Sequence, residues 1–308
     1  MELIFLGTPT FAVPTLEKIV QAGHRVRAVF TQPDRPKGRG GALGVSAVKE
    51  AAQRLALPVE QPERIRRPEV VERLREIKPE AMVVVGYGQT IPQSIIDIPP
   101  RGIINVHASL LPKYRGAAPI QWAIANGETQ TGVTTMQIDA GLDTGDMLLK
   151  WETPIGVEEN ALELGARLAE AGAELLIQTL RENPPRERQN PAEATYAPII
   201  KKEDGEIDWS WPAVKIFNRS RGLLPWPGTY SYFRGQLFHI WKSRMAEDAL
   251  RAVPGRMIAQ RKRLLIASGE GTTLEALEVQ VEGRRRMPAE AFLNGQRLSE
   301  HEILGKAA

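Results

Sequence analysis

Through the first half of the chain, short apolar runs alternate with stretches of helical spacing. Glu2–Leu6, Arg25–Thr31, Ala81–Gly86, Gly102–Val106, Gly132–Ile138 and Met147–Trp151 read as strands. Between them, Val13–Ala22, Ser46–Leu55, Pro68–Ile77 and Ala117–Asn126 repeat apolar residues at the spacing of one helix face. Ser46 stands where an N-cap belongs, and Gly23 where a helix stop belongs. Strand and helix in alternation predict a doubly wound α/β sheet, mostly parallel and covered by helices. Ligands of such sheets gather beyond the carboxyl ends of the strands near the topological switch, so chemistry is expected just after Leu6, Gly86, Val106 and Ile138.

One more helix, about Ala161–Arg181, precedes a change of character. Residues 182–204 hold four prolines and nine charges and read as an extended crossing between domains. After a helix over Pro212–Arg221, the segments Thr229–Phe233, Leu237–Ser243, Gly255–Ala259, Arg263–Ala267 and Gly271–Leu277 alternate in polarity between Gly-containing turns, as in a small β-barrel. The division expected is a first domain over 1–189, a linker over 190–205 and a second domain over 206–308.

At 308 residues the chain is about twice a typical domain, which agrees with two. With 42% hydrophobic and 25% charged residues it is of ordinary globular composition. No run approaches the ~20 apolar residues of a spanning helix, and Met1–Leu6 carries Glu2 and only four consecutive apolar residues, so neither membrane insertion nor secretion is expected. The absence of cysteine excludes disulfides, thiolate metal sites and cysteine nucleophiles, and four histidines are few for an all-histidine metal site. A cytoplasmic, metal-free protein follows as the expectation. Charge is uneven: residues 206–308 carry 16 basic against 11 acidic side chains, the remainder 24 against 26. A basic second half is what a polyanionic partner requires, although a solvated face has the same composition.

Four stretches carry candidate chemistry. Gly7-Thr8-Pro9 follows the first strand but lacks a dinucleotide-binding glycine pattern, and Pro9 removes a backbone donor, so it reads as a tight turn or the lining of a cleft. Asn105 and His107 end the fourth strand on the same face, ahead of an irregular segment, Ser109–Gly116. Asp139–Asp146 has three aspartates without calcium-loop spacing, so a carboxylate paired with a histidine is the better reading. Gln32–Gly44 is a long glycine-rich loop presenting Arg35, Lys37 and Arg39. Arg261-Lys262-Arg263 and Arg284-Arg285-Arg286 add basic runs in the second half.

On FLGTP at the start, FTQPDRPKGRG at 30–40, MVVVGYG at 82–88, INVHASLLPKYRGAAPIQWAI at 104–124 and TGVTTMQIDAGLDTGDML at 131–148, the sequence resembles the methionyl-tRNA formyltransferases. The NxH, SLLP and D-TGD elements belong to the wider 10-formyltetrahydrofolate-dependent formyltransferases; the basic insertion narrows the likeness to the tRNA enzymes. The resemblance implies a Rossmann-like catalytic domain followed by an OB-fold-like, tRNA-binding β-barrel. It implies Asn105, His107 and Asp143 as catalytic residues: an amide donor to the developing oxyanion, a proton shuttle, and a carboxylate that orients the imidazole or a water. Ser109, Leu110, Leu111 and Pro112, with Gly86 and Tyr87 at the third strand end, become the expected contacts to 10-formyltetrahydrofolate. Arg35, Lys37 and Arg39, with Arg261, Lys262 and Arg263, become the expected contacts to the acceptor stem of initiator methionyl-tRNA. No metal, no membrane and a monomer complete the expectation. Two alternatives stand beside it: a formyltransferase acting on an amino-sugar nucleotide, and a folate- or RNA-binding protein without turnover.

Overall fold

The computed structural model describes residues 1–37, 42–299 and 301–305. They form two compact units: Met1–Pro119 with Gln130–Pro154 and Gly165–Ala197, and Ile120–Thr129 with Ile155–Leu164 and Pro198–Ala308. The second unit therefore takes in two stretches from within 1–189.

The first unit is built on a seven-stranded sheet. Its strands are β1 (Glu2–Gly7), β2 (Arg25–Phe30), β3 (Val59–Glu60), β4 (Ala81–Val85), β5 (Ile103–His107), β6 (Gln130–Gln137) and β7 (Met147–Pro154). They lie in the order β7-β6-β5-β4-β1-β2-β3. From β5 to β3 every neighbour is parallel, whereas β6 runs against β5 and β7 against β6. The order reverses between β1 and β4, which makes the gap between their ends the switch point. Continuous apolar runs form these strands because both faces are covered: every residue of β4 and of β5 is buried.

Helices α1 (Val13–Gln21), α2 (Ala47–Arg54), α3 (Pro68–Ile77), α5 (Pro119–Ala125) and α6 (Ala161–Glu182) occupy the ranges expected to within a few residues, and α4 (Gln93–Ile96) is a single turn. Ser46 does cap α2, its hydroxyl accepting from Lys49 N at 3.1 Å. Val71 and Leu74 of α3 pack with Ile4, Phe30, Met82 and Val84 in one core cluster. On α6, Gly172 allows a close approach to β5 and β6, since a Cβ there would lie 2.8 Å from Val106.

The second unit is an antiparallel sheet, as its alternating polarity predicts. Strands β8 (Thr229–Phe233), β9 (Gln236–Met245), β10 (Met257–Gln260), β11 (Arg263–Ala267) and β12 (Thr273–Val281) run in the order β8-β9-β12-β11-β10, with Met287–Pro288 added beside β12. Register shifts after Ile240 and Lys242 bend β9. Helices α7 (Ala213–Gly222) and α8 (Ala289–Gly295) close its core, Ile216, Phe217 and Phe292 meeting Phe238, Leu264 and Ile266. No described helix is long and apolar enough to cross a membrane.

Candidate active site

The ends of β1, β2 and β4 are tied together at the switch point. Thr8 Oγ1 donates to the Tyr87 carbonyl at 3.1 Å and accepts from Gln32 N, while Gln32 Nε2 donates to the same carbonyl at 3.1 Å. Gly86 turns with φ +58°, and a Cβ there would meet the Pro9 ring at 2.9 Å. Tyr87 was expected to touch the cofactor, but its ring lies in the core among Leu6, Val84 and Ile91 and is 2% exposed. Burial pushes its phenol above the ordinary tyrosine range, and the hydroxyl finds no hydrogen-bond partner among the described residues. Only backbone at 86–88 is left for a ligand.

At the end of β5 the alternation of side chains puts Asn105 and His107 on one face, 8% and 6% exposed. The Asn105 amide makes no side-chain hydrogen bond among the described residues. Its amide atoms are not among the fully buried ones that lack a partner, so they are open at the strand end to solvent or to a ligand. His107 is held from one side: its Nε2 lies 2.9 Å from the Tyr114 carbonyl, an acceptor only, so Nε2 carries the proton. That leaves Nδ1 as the basic nitrogen of the neutral ring. It faces Asp143 Oδ2 at 3.7 Å, and the same carboxylate oxygen accepts from Gly116 N at 2.8 Å.

Asp143 reaches this place by a route the sequence does not show. Because β6 is antiparallel to β5, its carboxyl end lies beside Ile104 and not beside His107. The loop after Gln137 returns by about three residues, or ~10 Å, along the strand direction to deliver the carboxylate. The expectation that this loop sits at the shared carboxyl edge is therefore corrected: the pairing holds, the reason for it does not. Asp139 closes the loop upon itself, accepting from Gly141 N and Thr144 Oγ1. No cluster of three potential metal-ligating side chains occurs among the described residues.

Ser109–Gly116 is an ordered segment laid over the β5 end. Thr134 on β6 donates to the Ser109 carbonyl at 2.7 Å and accepts from Leu111 N at 3.1 Å, while Ser109 Oγ donates to the Lys113 carbonyl. The Leu111–Pro112 peptide is cis. Leu111 is buried with Met136 and Met147, Ser109 and Pro112 are also buried, and Leu110 is half-buried. Residues 115–116 pair in parallel with Tyr196–Ala197, so the stretch read as a linker contributes to this site.

The expected tRNA contacts fare differently from one another. Arg35 is exposed at the start of a hairpin, Arg35–Lys37 against Ala42–Gly44, and Arg39 lies outside the described residues. Asp34, next to the hairpin, takes Lys49 and Gln61 as partners. Arg263 is engaged: it donates to Glu275, which is 5% exposed, and to Asp248, so it serves an internal ion cluster with Arg244. Lys262 pairs with Glu290 at 2.7 Å. Arg261 is exposed and has no partner among the described residues.

A parallel-sheet unit thus brings an amide, an imidazole and a carboxylate to one strand end, and an antiparallel β unit follows it along the chain. The chain belongs to the formyl transferase family: the Formyl transferase model matches residues 1–180 and the Formyl transferase, C-terminal domain model residues 199–297. It is 64% identical to methionyl-tRNA formyltransferase of Solibacter usitatus and 56% identical to that of Koribacter versatilis, each over 99% of both chains. Among solved structures it resembles a methionyl-tRNA formyltransferase from Clostridium thermocellum (TM-score 0.58, 19% identity, 87% of this chain and 100% of that one). It also resembles an N-formyltransferase from Helicobacter canadensis complexed with folinic acid and dTDP-3-aminofucose (TM-score 0.66, 20% identity, 89% and 98%). At those identities the structures speak to the fold alone.

The sequence did not single out Gln189, Thr134 or Gly116, which hold the site together. Gly116 and Arg115 lay inside a segment already marked as irregular. Gln189 had no signal, because an amide in a Pro-rich charged stretch looks like any linker residue.

Proposed function

We propose that this protein transfers a formyl group from 10-formyltetrahydrofolate to the α-amine of methionine esterified to initiator tRNA. The observation that carries the reading is the Asn105 amide, unbonded among the described residues and open at the strand end, beside a histidine whose tautomer is fixed and whose free nitrogen faces a carboxylate. The folate supplies an activated formyl carbon. As the amine attacks that carbon, Asn105 donates its N–H to the formyl oxygen, where negative charge gathers; comparable donors contribute about 3 kcal/mol. His107 Nδ1 accepts the proton lost by the attacking nitrogen and returns it to the folate nitrogen as the C–N bond breaks. Asp143, fixed by Gly116 N–H, stabilises the imidazolium between those two steps. No charge is left over at the end.

The segment 109–112 and the backbone at 86–88 form the folate side of the site in this reading. Arg35, Lys37, Arg39 and the exposed Arg261 meet tRNA phosphates, with 206–308 as the RNA-binding part of the chain. The enzyme works as a cytoplasmic monomer, beside the translation machinery that consumes its product. The close relatives by sequence carry the tRNA enzyme's name, which favours a charged tRNA over an amino-sugar nucleotide as acceptor. Transfer of labelled formyl from 10-formyltetrahydrofolate is measured with charged initiator tRNA and, in parallel, with an amino-sugar nucleotide. Label on the methionine amine is the expected result; label only on the sugar would replace the acceptor, and none on either would remove the enzyme.

A further inference from the structure

Gln189 lies in the stretch read as a linker, yet it is 8% exposed and belongs to the first unit. Its Oε1 accepts from Arg115 Nε at 3.0 Å and from Arg115 Nη2 at 2.7 Å. Its Nε2 donates to the carbonyls of Asp143 and Gly145, both at 2.8 Å. We propose that Gln189, oriented by Arg115, is a positioning residue that holds the Asp143 loop so that the carboxylate faces His107. The proposal rests on the catalytic assignment of His107 and Asp143 given above.

The amide's orientation is determined by its neighbours. A guanidinium has donors only, so the oxygen of Gln189 must face Arg115, 5% exposed, and both amide hydrogens must then face the loop. A flipped amide would set donor against donor on one side and oxygen against two carbonyls on the other. A glutamate would keep the Arg115 contact but turn a carboxylate toward those carbonyls, and an apolar side chain would leave both acceptors buried without a partner.

The loop needs such a clamp. Asp143 adopts φ +51°, a left-handed conformation that aspartate tolerates better than most residues with a Cβ but that is still uncommon, so contacts from outside the loop help to hold it. Gly145 fixes the far end, since a Cβ there would overlap the carbonyl oxygen of Gln137. The carboxylate is caught from the other direction by Gly116 N. Gly116 is in turn pressed against Ala197, whose carbonyl would lie 2.7 Å from any added Cβ. Two adjacent residues, Arg115 and Gly116, thus fix the backbone and the side chain of Asp143 at once, one through Gln189 and the other directly.

The test is a double-mutant cycle on the full-length enzyme, with kcat and KM measured for 10-formyltetrahydrofolate and charged initiator tRNA. Gln189→Met keeps the length and removes all four hydrogen bonds; it should lower kcat about ten- to hundredfold while each KM changes by less than about threefold. In an Asp143→Asn background the same change should cost less than about twofold, because no carboxylate remains to be misplaced. A residue that merely supports the fold would give its full loss again in that background, and this result overturns the proposal, as does a Gln189→Met enzyme with wild-type kcat or one changed only in KM. Full activity of Asp143→Asn would instead sink the catalytic assignment, a failure visible in the single mutant. Should Gln189→Met not fold, Arg115→Lys keeps the charge without the fork; a loss of a few-fold, absent in the Asp143→Asn background, is then expected, and a loss repeated in full there overturns the inference.

Discussion

At the end of β5, polar side chains are buried and their bonds run inward to backbone and neighbouring loops; on the turns of the second unit, basic side chains are at the surface and most of their bonds run to carboxylates. His107 and Asp143 are bound by the Tyr114 carbonyl and the Gly116 N–H, while Arg263 and Lys262 are bound by Glu275 and Glu290. A charge already paired contributes to its own unit's stability and has less to offer a partner. The Asn105 amide, unbonded among the described residues and accessible at the strand end, is available to a ligand. The contrast gives a rule for this molecule: chemistry is expected where polar groups converge at a strand end with one face still open, and not merely where charge is dense; a lone unpartnered atom in the core, such as the Tyr87 hydroxyl, does not meet it.

The largest effects expected are at the unpaired or singly held groups. His107→Ala should lower kcat at least ~100-fold, since proton transfer belongs to the transition state. Asn105→Ala should do the same through the oxyanion. Folate affinity, followed by quenching or calorimetry, should move little in either case. Near-wild-type turnover with charged tRNA would remove the residue concerned from the mechanism and weaken the rule with it.

Next in size is the cost of opening a paired cluster. Arg263→Ala strips one of two guanidinium partners from the buried Glu275 carboxylate, and the melting temperature should fall by several degrees. If instead Tm is unchanged while tRNA affinity collapses, Arg263 is a nucleic-acid contact after all.

How far the sequence revealed this contrast depends on the range over which each feature is encoded. The strands of the parallel half, the Ser46 cap and the Asn105/His107 face follow from local patterns: apolar runs, a capping hydroxyl, a period of two. The antiparallel turn of β6 does not, because strand direction is set by which neighbours pair, and Gly132–Ile138 has the same composition whichever way it runs. β3 was missed because two residues carry no period. Ring burial of Tyr87 was missed because a strand-end aromatic can point to the core or to a cleft with equal ease. Pairing of Arg263 depends on Glu275, 12 residues away on a neighbouring strand, and is invisible in an RKR run.

A smaller effect is expected from pH. The Arg234 guanidinium beside Glu302, donating to both oxygens, holds its carboxyl below the ordinary range against the opposing effect of burial. A carboxyl depressed in the folded state stabilises it above the ordinary carboxylate range, and that contribution is lost as pH falls through the depressed value. Glu302→Gln should therefore lower Tm near pH 7, with the gap to wild type closing below about pH 4. A gap that stays constant from neutral to acid pH would mean the Arg234 pair contributes nothing to stability.

The smallest effect falls on the one basic residue of 261–263 that keeps no carboxylate. Arg261 and Lys262 form the two-residue turn between β10 and β11, both left-handed at φ +47° and +69°, the geometry of a hairpin that usually takes asparagine and glycine. Arg261→Ala retains the Cβ and so the same backbone cost, and Tm should not move. What it loses is a solvated cation: KM for charged tRNA should rise about two- to threefold, and the slope of binding against salt should flatten by about one counterion. Titrations at several salt concentrations, set beside Arg263→Ala, complete the comparison. Equal salt slopes in the two variants would show that pairing with a carboxylate does not decide which cations meet RNA, whereas a slope changed only by Arg261→Ala places the free side chain, and not the run as a whole, on the phosphate backbone.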